Sequence, residues 1–343
     1  MTAQAPVTVQ TQGSGRGALS DRTPGSRGLS RAGGWPRFIL QRLVDIVLTV
    51  WAAATLAFLA VKAIPGDPLD ILMSGIQDAT PEMRARIAAD YGLDQPAWRQ
   101  YLDYLGGVLT GDLGTSYQRG TPVLDVLSAE LAPTVELTLV AMLIAVTLAV
   151  AVALATSGRN RTARFAAQFI ELVAVSTPAF WLGIILMTVF SFQLRLLPAF
   201  GNETPESLIL PAVTLASTVF GVLSQILRER MEFTLHEPFV KSLRARGLGE
   251  GALRSRHVLR HAGLPALTLS SMIFGSLLGG TVIIETLFAR PGIGRVAVMA
   301  VQDRDIPVVL GFVILASLIF VLVNTVVDLV YPLIDPRLKG ERR

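Results

Sequence analysis

Apolar residues in this chain gather in long, unbroken runs. Five stretches contain no Asp, Glu, Lys or Arg: Leu137–Thr156, Leu172–Leu194, Leu208–Leu227, Ala262–Ile284 and Ile306–Val327. A sixth, Leu43–Val61, is interrupted only by Asp45. About 20 residues at 1.5 Å rise cross the roughly 30 Å hydrocarbon core of a bilayer, so each run has the length of one crossing. None alternates in the way that barrel strands do. The pattern predicts an all-α integral membrane protein with six transmembrane helices.

The polar segments between the runs set the expected topology. With the N-terminus inside, cytoplasmic segments hold twenty Lys and Arg residues and external segments eight, the asymmetry of the positive-inside rule. Both termini are therefore expected to be cytoplasmic. Residues 1–36 are rich in Gly, Ser, Thr and Arg without apolar period, which predicts a disordered cytoplasmic tail ahead of a permease domain over 37–343. Arg42 and Asp45, three apart at the start of the first helix, can pair on one face. The first run is too long for a signal-peptide core and reads as a retained helix.

Residues 65–133 form the one sizeable extramembrane piece, an external subdomain between the first two helices. Thr80-Pro81-Glu82 has the chemistry of a helix start, and Tyr91-Gly92 of its end. Ala97–Leu109 would place Trp98, Tyr101, Leu102 and Leu105 on one face. Acidic residues outnumber basic ones here by ten to four. That suits either an ordinary solvated face or a docking surface for an external protein.

Composition narrows the chemistry. Hydrophobic residues make up 51% and charged residues 16% of the 343, with a mean hydropathy of +0.53, too apolar for an ordinary soluble domain. Cysteine is absent, which excludes disulfides, thiolate metal sites and thiol nucleophiles together. Only His236, His257 and His261 are available as imidazole ligands, so no metal site is expected. No G-x-x-x-x-G-K-[ST], G-x-S-x-G or H-E-x-x-H pattern occurs, and no catalytic or cofactor-binding residue is assigned. The pI near 9.7 follows from topology and implies no nucleic-acid partner. Glu136, Glu171, Glu285 and Asp328 lie at span margins, where capping or interfacial solvation is expected rather than proton relay. Gly275, Gly279 and Gly280 are small residues suited to close helix packing, within the chain or with another subunit. Pro178 would loosen the third helix and is a gating candidate.

The basic segment within 228–264 is the most informative polar stretch. Pro238 can open a short helix, Gly247 can sit just past its end, and Lys241, Arg244 and Arg246 favour its C-terminal half. Phe239 and Leu243, four apart, share a face that could plug an apolar groove. Pro265 marks re-entry into the bilayer. A loop held at lipid headgroups by charge is the blander reading.

Ala245-Arg246-Gly247-Leu248 followed by Arg256-His257-Val258-Leu259-Arg260-His261-Ala262 resembles the coupling motif of the oligopeptide/dipeptide/nickel family of ABC permeases, B-type subunit. His261 stands where that pattern usually has Asn, so the contact should change rather than vanish. Further stretches agree: Pro65-Gly66-Asp67-Pro68, Tyr91-Gly92-Leu93-Asp94-Gln95-Pro96, Gly111–Tyr117, Ser176–Trp181, Glu285–Phe288, Pro291-Gly292-Ile293-Gly294, Asp303-Arg304-Asp305 and Asp335-Pro336-Arg337. Together they cover roughly residues 37–340.

The resemblance implies half of a translocation pore for di- or oligopeptides in the bacterial inner membrane. The same machine importing nickel or another small solute is the alternative. The implied partners are a homologous C-type permease, two cytoplasmic ATP-binding subunits or one fused ATPase, and an external solute-binding protein. ATP and Mg would be held by the ATPase subunits. Phe239, Leu243, Arg244, Ala245, Arg246, Gly247, His257, Arg260 and Pro265 would form the ATPase-coupling segment. A reading from another class, an ion-driven secondary transporter, predicts inverted repeats and midplane carboxylates, and the sequence has neither.

Residues 1–34 cannot bury enough apolar area to offset the entropy of ordering them. Deleting them while keeping Arg37 and Arg42 is expected to leave uptake intact; loss of uptake at unchanged membrane abundance would assign the tail a role.

Overall fold

The computed structural model describes residues 34–334, apart from 67 and 74–79. The expectations for the tail up to residue 33 and for Asp335-Pro336-Arg337 lie outside the described residues. In chain order the helices are α1 (Gly34–Ala63), α2 (Pro68–Leu72), α3 (Pro81–Asp90), α4 (Ala97–Thr110), α5 (Val123–Thr156), α6 (Arg161–Ser176), α7 (Ala179–Leu186), α8 (Ile209–Leu235), α9 (Pro238–Ala245), α10 (Glu250–Ala252), α11 (Leu259–Leu287), α12 (Ile293–Gln302) and α13 (Ile306–Ile334). Among the described residues there is no strand, only an isolated bridge between Thr115 and Pro122.

Four segments are single helices long and apolar enough to cross a membrane: Leu40–Ala63, Val123–Thr156, Pro205–Leu235 and Ile306–Val326. The 29-residue α11 carries the fifth apolar run. The run Leu172–Leu194 departs from expectation, because it is not one loosened helix but two, α6 and α7, bent by 102°. Thr177 is extended, at φ −88° and ψ 121°. The proline ring disfavours helical backbone at the residue before it and offers no N–H of its own. Pro178 therefore starts α7 as its N-cap instead of sitting inside a helix. Beyond α7 the chain widens into a π-helical turn over Met187–Gln193.

The core lies along α8, which packs against α5, α6, α7 and α11. On α5 a stripe of alanines at four-residue spacing, Ala141, Ala145, Ala149 and Ala153, is fully buried. Small side chains let two helix backbones approach closely, and in lipid that packing is a main source of association. Leu215, Val219, Leu223, Leu227 and Met231 supply the buried face of α8. By contrast, α1 rests on α13 and leaves Leu40, Leu43, Val47, Leu48, Leu56 and Leu59 exposed, the face a hydrocarbon solvent would cover.

Outside the spans, α3 ends as its sequence suggests. The Gly92 and Leu93 amides return to the carbonyls of Ala89 and Ala88 with Gly92 in the left-handed region at φ 64°, a Schellman cap. Thr80 accepts from the Met83 amide at the other end. The amphipathic face of α4 is split differently from the expected set. Tyr101 packs tilted against Phe58 of α1 and Tyr104 stacks on it, at 5.3 and 5.9 Å, and the Tyr101 and Thr55 hydroxyls lie 2.7 Å apart. Trp98 and Leu102 instead point outward, 63% and 54% exposed. The helix following the external segment begins at Val123, so Pro133 lies inside α5 rather than before it.

Two corners are closed by buried carboxylates. At the end of α11, Glu285 is fully buried and caps the start of α12. Its Oε2 accepts from the Gly294 and Arg295 amides at 2.9 and 3.1 Å, and its Oε1 from the Thr134 hydroxyl at 2.6 Å. The same hydroxyl oxygen accepts from the Ile293 amide. These are the amides a helix start leaves unpaired, where negative charge is favoured. At the end of α12, Asp305 receives the Ser116 hydroxyl and the amides of Tyr117 (3.0 Å) and Gln118 (3.4 Å), fastening the external segment to α13. Burial, together with the Asp305 charge, pushes the Tyr117 phenol up to about 12.

Gly292 has extended backbone, so its constraint is space alone. A Cβ there would lie 2.2 Å from Glu285 Cδ and 2.4 Å from both carboxylate oxygens. Gly292→Ala must dislodge a fully buried carboxylate from its donors, a cost on the order of 2 kcal/mol for the donors left unmet. A lowered unfolding temperature of the purified protein is the expected result; an unchanged one would show that the corner yields freely.

Candidate coupling site

Between α8 and α11 the chain builds a compact projection from its own capping rules. The His236 and Glu237 amides close back on Phe233 and Thr234, and Pro238 then occupies the first turn of α9, where its missing N–H costs nothing. At the far end the Gly247 amide donates to Arg244 O at 2.9 Å and the Leu248 amide to Leu243 O at 3.2 Å, the paired bonds of a Schellman motif. Gly247 stands at φ 82° with open space around it, so backbone conformation rather than crowding requires glycine.

The projection is rooted by apolar side chains. Val240, Leu253 and Val258 are fully buried. Phe239, Leu243 and Leu248 pack against the same core. Phe239 and Leu243, read as a face for an apolar groove, are half-buried against the chain's own core. Lys241, Ser242, Arg244, Ala245 and Arg246 are exposed, so α9 offers a polar, basic surface instead. The Arg244 guanidinium grips Glu250 through two hydrogen bonds, at 2.7 and 3.2 Å, and Arg254 approaches the same carboxylate at 3.5 Å. Arg244 holds the Glu250 carboxyl below the usual glutamate range. Exposed pairs add little stability; this one links α9 to α10.

Downstream, the chain passes through a π-helical turn, Leu253–Val258, directly into α11. His257 is half-buried in that turn and Arg260 is exposed. The His261 ring lies 4.9 Å from Phe239, tying the root of α9 to the start of α11. Pro265 falls inside α11 rather than at its start, since the preceding turn already carries the chain into the helix; the side chains around Pro265 and Gly275 lie outside the described residues. Gly280 packs within the chain, where a Cβ would sit 3.1 Å from Leu215 Cδ1, while Gly279 faces open space. Pro178 is remote in sequence from the projection; the helices on either side of it, α6 and α7, both pack on α8.

One pair was not legible in the sequence. Glu171 on α6 and Arg228 on α8 are each 3% exposed and joined at 2.8 Å, which corrects the reading of Glu171 as a cap or solvated margin. Their separation of 57 positions leaves no spacing signal, although Arg228 is the first charge after an apolar run.

Helices of membrane-crossing length, with a basic projection on the central helix, define a polytopic membrane protein. Residues 135–340 match the family described as "Binding-protein-dependent transport system inner membrane component", and residues 36–138 match its N-terminal companion. The chain belongs to this family and is an inner-membrane permease subunit of an ABC importer. It is 36% identical over 303 residues to the glutathione transport system permease protein GsiC of Salmonella choleraesuis, spanning 88% of this chain and 98% of that protein. The proteins of the same description from Salmonella typhimurium and Escherichia coli (strain K12) are 36% and 34% identical over the same shares of each chain.

Replacing Gly247 by Val forces a branched side chain into left-handed backbone at a cost of about 1 kcal/mol or more. The Leu248 amide, held by Leu243 O, is expected to exchange its hydrogen faster in the variant. Unchanged exchange would show that the cap does not depend on glycine.

Proposed function

We propose that this chain forms half of the translocation pore of an importer for di- and oligopeptides, and that α9 is the helix on which an ATP-binding subunit docks. The observation that carries the reading is the construction of α9. It opens on Pro238, ends in the Gly247 cap, is rooted by Val240 and Leu253, and presents Lys241, Ser242, Arg244 and Ala245 outward. A stiff element with a buried root transmits displacement, whereas a headgroup-bound loop would need neither cap nor root. In this reading α11 and the bent α6–α7 pair complete six spans, and both termini lie in the cytoplasm. A homologous C-type permease supplies the other half of the pore. Two ATP-binding subunits, separate or fused, hold ATP and Mg, and a solute-binding protein delivers cargo to the external face. ATP binding favours one state of the assembly, and that differential affinity drives the change. The peptide class is supported by relatives named for glutathione, itself a tripeptide.

The test is uptake by the reconstituted complex alongside its ATP hydrolysis. Gly247→Asp is expected to assemble and hydrolyse ATP while importing about tenfold less per ATP, within the usual range of coupling between sites. Di- and tripeptides should compete with labelled peptide for uptake. Parent-like transport by the variant would remove α9 from the coupling path; nickel uptake that peptides do not displace would redirect the cargo.

A further inference from the structure

The Glu171–Arg228 pair lies outside the α9 projection but on the helix that carries it. Arg228 Nε donates to Glu171 Oε1 at 3.0 Å and Nη2 to Oε2 at 2.8 Å, while the Ser224 hydroxyl donates to Oε1 at 2.9 Å. Gly221 brings the backbones together on the same face of α8. A Cβ there would fall 3.0 Å from the Glu171 carbonyl oxygen, 3.1 Å from Ala174 Cβ and 2.7 Å from Val175 Cγ2. Gly221, Ser224 and Arg228 thus form one stripe that holds α6 by shape and by charge.

Replacing a buried ion pair with well-packed apolar residues is often neutral or stabilising. Stability alone therefore does not account for a pair so fully desolvated, whereas a bidentate fork fixes orientation in a way that aliphatic packing does not. Its position gives that orientation a use. Seven residues beyond Arg228, α8 ends at Leu235 and turns at once into α9. Five residues beyond Glu171, α6 ends at the Thr177–Pro178 break. Past the break, α7 is seated elsewhere: a Cβ at Gly183 would meet Leu287 at 2.6 Å, Thr214 at 3.2 Å and Phe288 at 3.3 Å. Those residues belong to the end of α11 and the opposite end of α8.

We propose that Glu171 and Arg228 are positioning residues that make α6 part of the moving coupling body. When the ATP-binding subunits close, α6 travels with the adjoining half of α8 and with α9, and the Thr177–Pro178 break lets it do so without carrying α7. The proposal rests on α9 being the ATPase-facing helix.

The chain has no cysteine, so paired labels can be introduced into the full complex, given partner subunits freed of cysteine, in nanodiscs. Spin labels at Phe169 and Phe233, both exposed, report α6 against α8; labels at Phe169 and Trp181 report α6 against α7. The first distance is expected to be the same without nucleotide and with ATP trapped, and the second to change. Glu171→Gln is expected to import about tenfold less per ATP hydrolysed, with Glu171→Asp recovering part of the loss. An α6–α8 distance that moves with ATP, an α6–α7 distance that does not, or parent-like coupling in Glu171→Gln would each overturn the proposal. Should Glu171→Gln fail to assemble, the distances in the otherwise unaltered chain decide the matter. A separate arm tests the underlying reading. Ser242→Cys is expected to cross-link to a cysteine restored on the ATP-binding subunit. Absence of that cross-link would remove α9 from the ATPase interface, whatever the α6–α8 distance shows.

Discussion

A carboxylate taken out of water must find donors inside the protein, because leaving it unpaired costs more than most single contacts supply. Glu171, Glu285 and Asp305 are all buried, and each recruits donors from a distant part of the chain. Glu285 gathers Thr134 of α5 and the first amides of α12. Asp305 gathers Ser116, Tyr117 and Gln118 of the external segment. Glu171 gathers Ser224 and Arg228 of α8. These three points fix relations among helices that apolar packing alone would leave free to slide, since lipid competes equally well for an apolar face.

Around those points the architecture is a central helix with attachments. α8 carries the buried apolar face, the alanine stripe of α5 lies against it, and its end passes through a two-residue turn into α9. Capping then makes α9 stiff. Pro238 begins it, Gly247 ends it, and Val240 and Leu253 hold its root. Outward-facing Lys241, Arg244 and Arg246 are thereby connected through a buried root to the middle of the bundle.

The segment between α1 and α5 follows the same logic with different chemistry. The segment before α5 is locked to the α12–α13 corner through Asp305, and α4 lies on α1 through an aromatic cluster of Phe58, Tyr101 and Tyr104. Trp98 and Leu102 are left pointing away. The segment between α1 and α5 is thus fixed to the spans at two separate places, α1 and the α12–α13 corner.

Much of this was present in the sequence because its causes are local. Apolar runs marked the four helices long enough to cross a membrane, and Thr80, Gly92, Pro238 and Gly247 marked helix limits through backbone rules that act within four residues. The motif containing Arg246-Gly247 and Arg256-His257 gave the family. Three things were decided only in the folded chain. The inward turn of Phe239 and Leu243 depends on core surface contributed by other helices. The break at Thr177–Pro178 was signalled by proline, yet a proline can also sit inside a helix, as Pro133 does in α5; what distinguishes the two is the packing on either side. The Glu171–Arg228 pair joins residues 57 apart, and neither position alone says whether its charge will meet water, headgroups or a partner. Local sequence sets which conformations a segment can adopt, while burial, which depends on every other helix at once, selects among them.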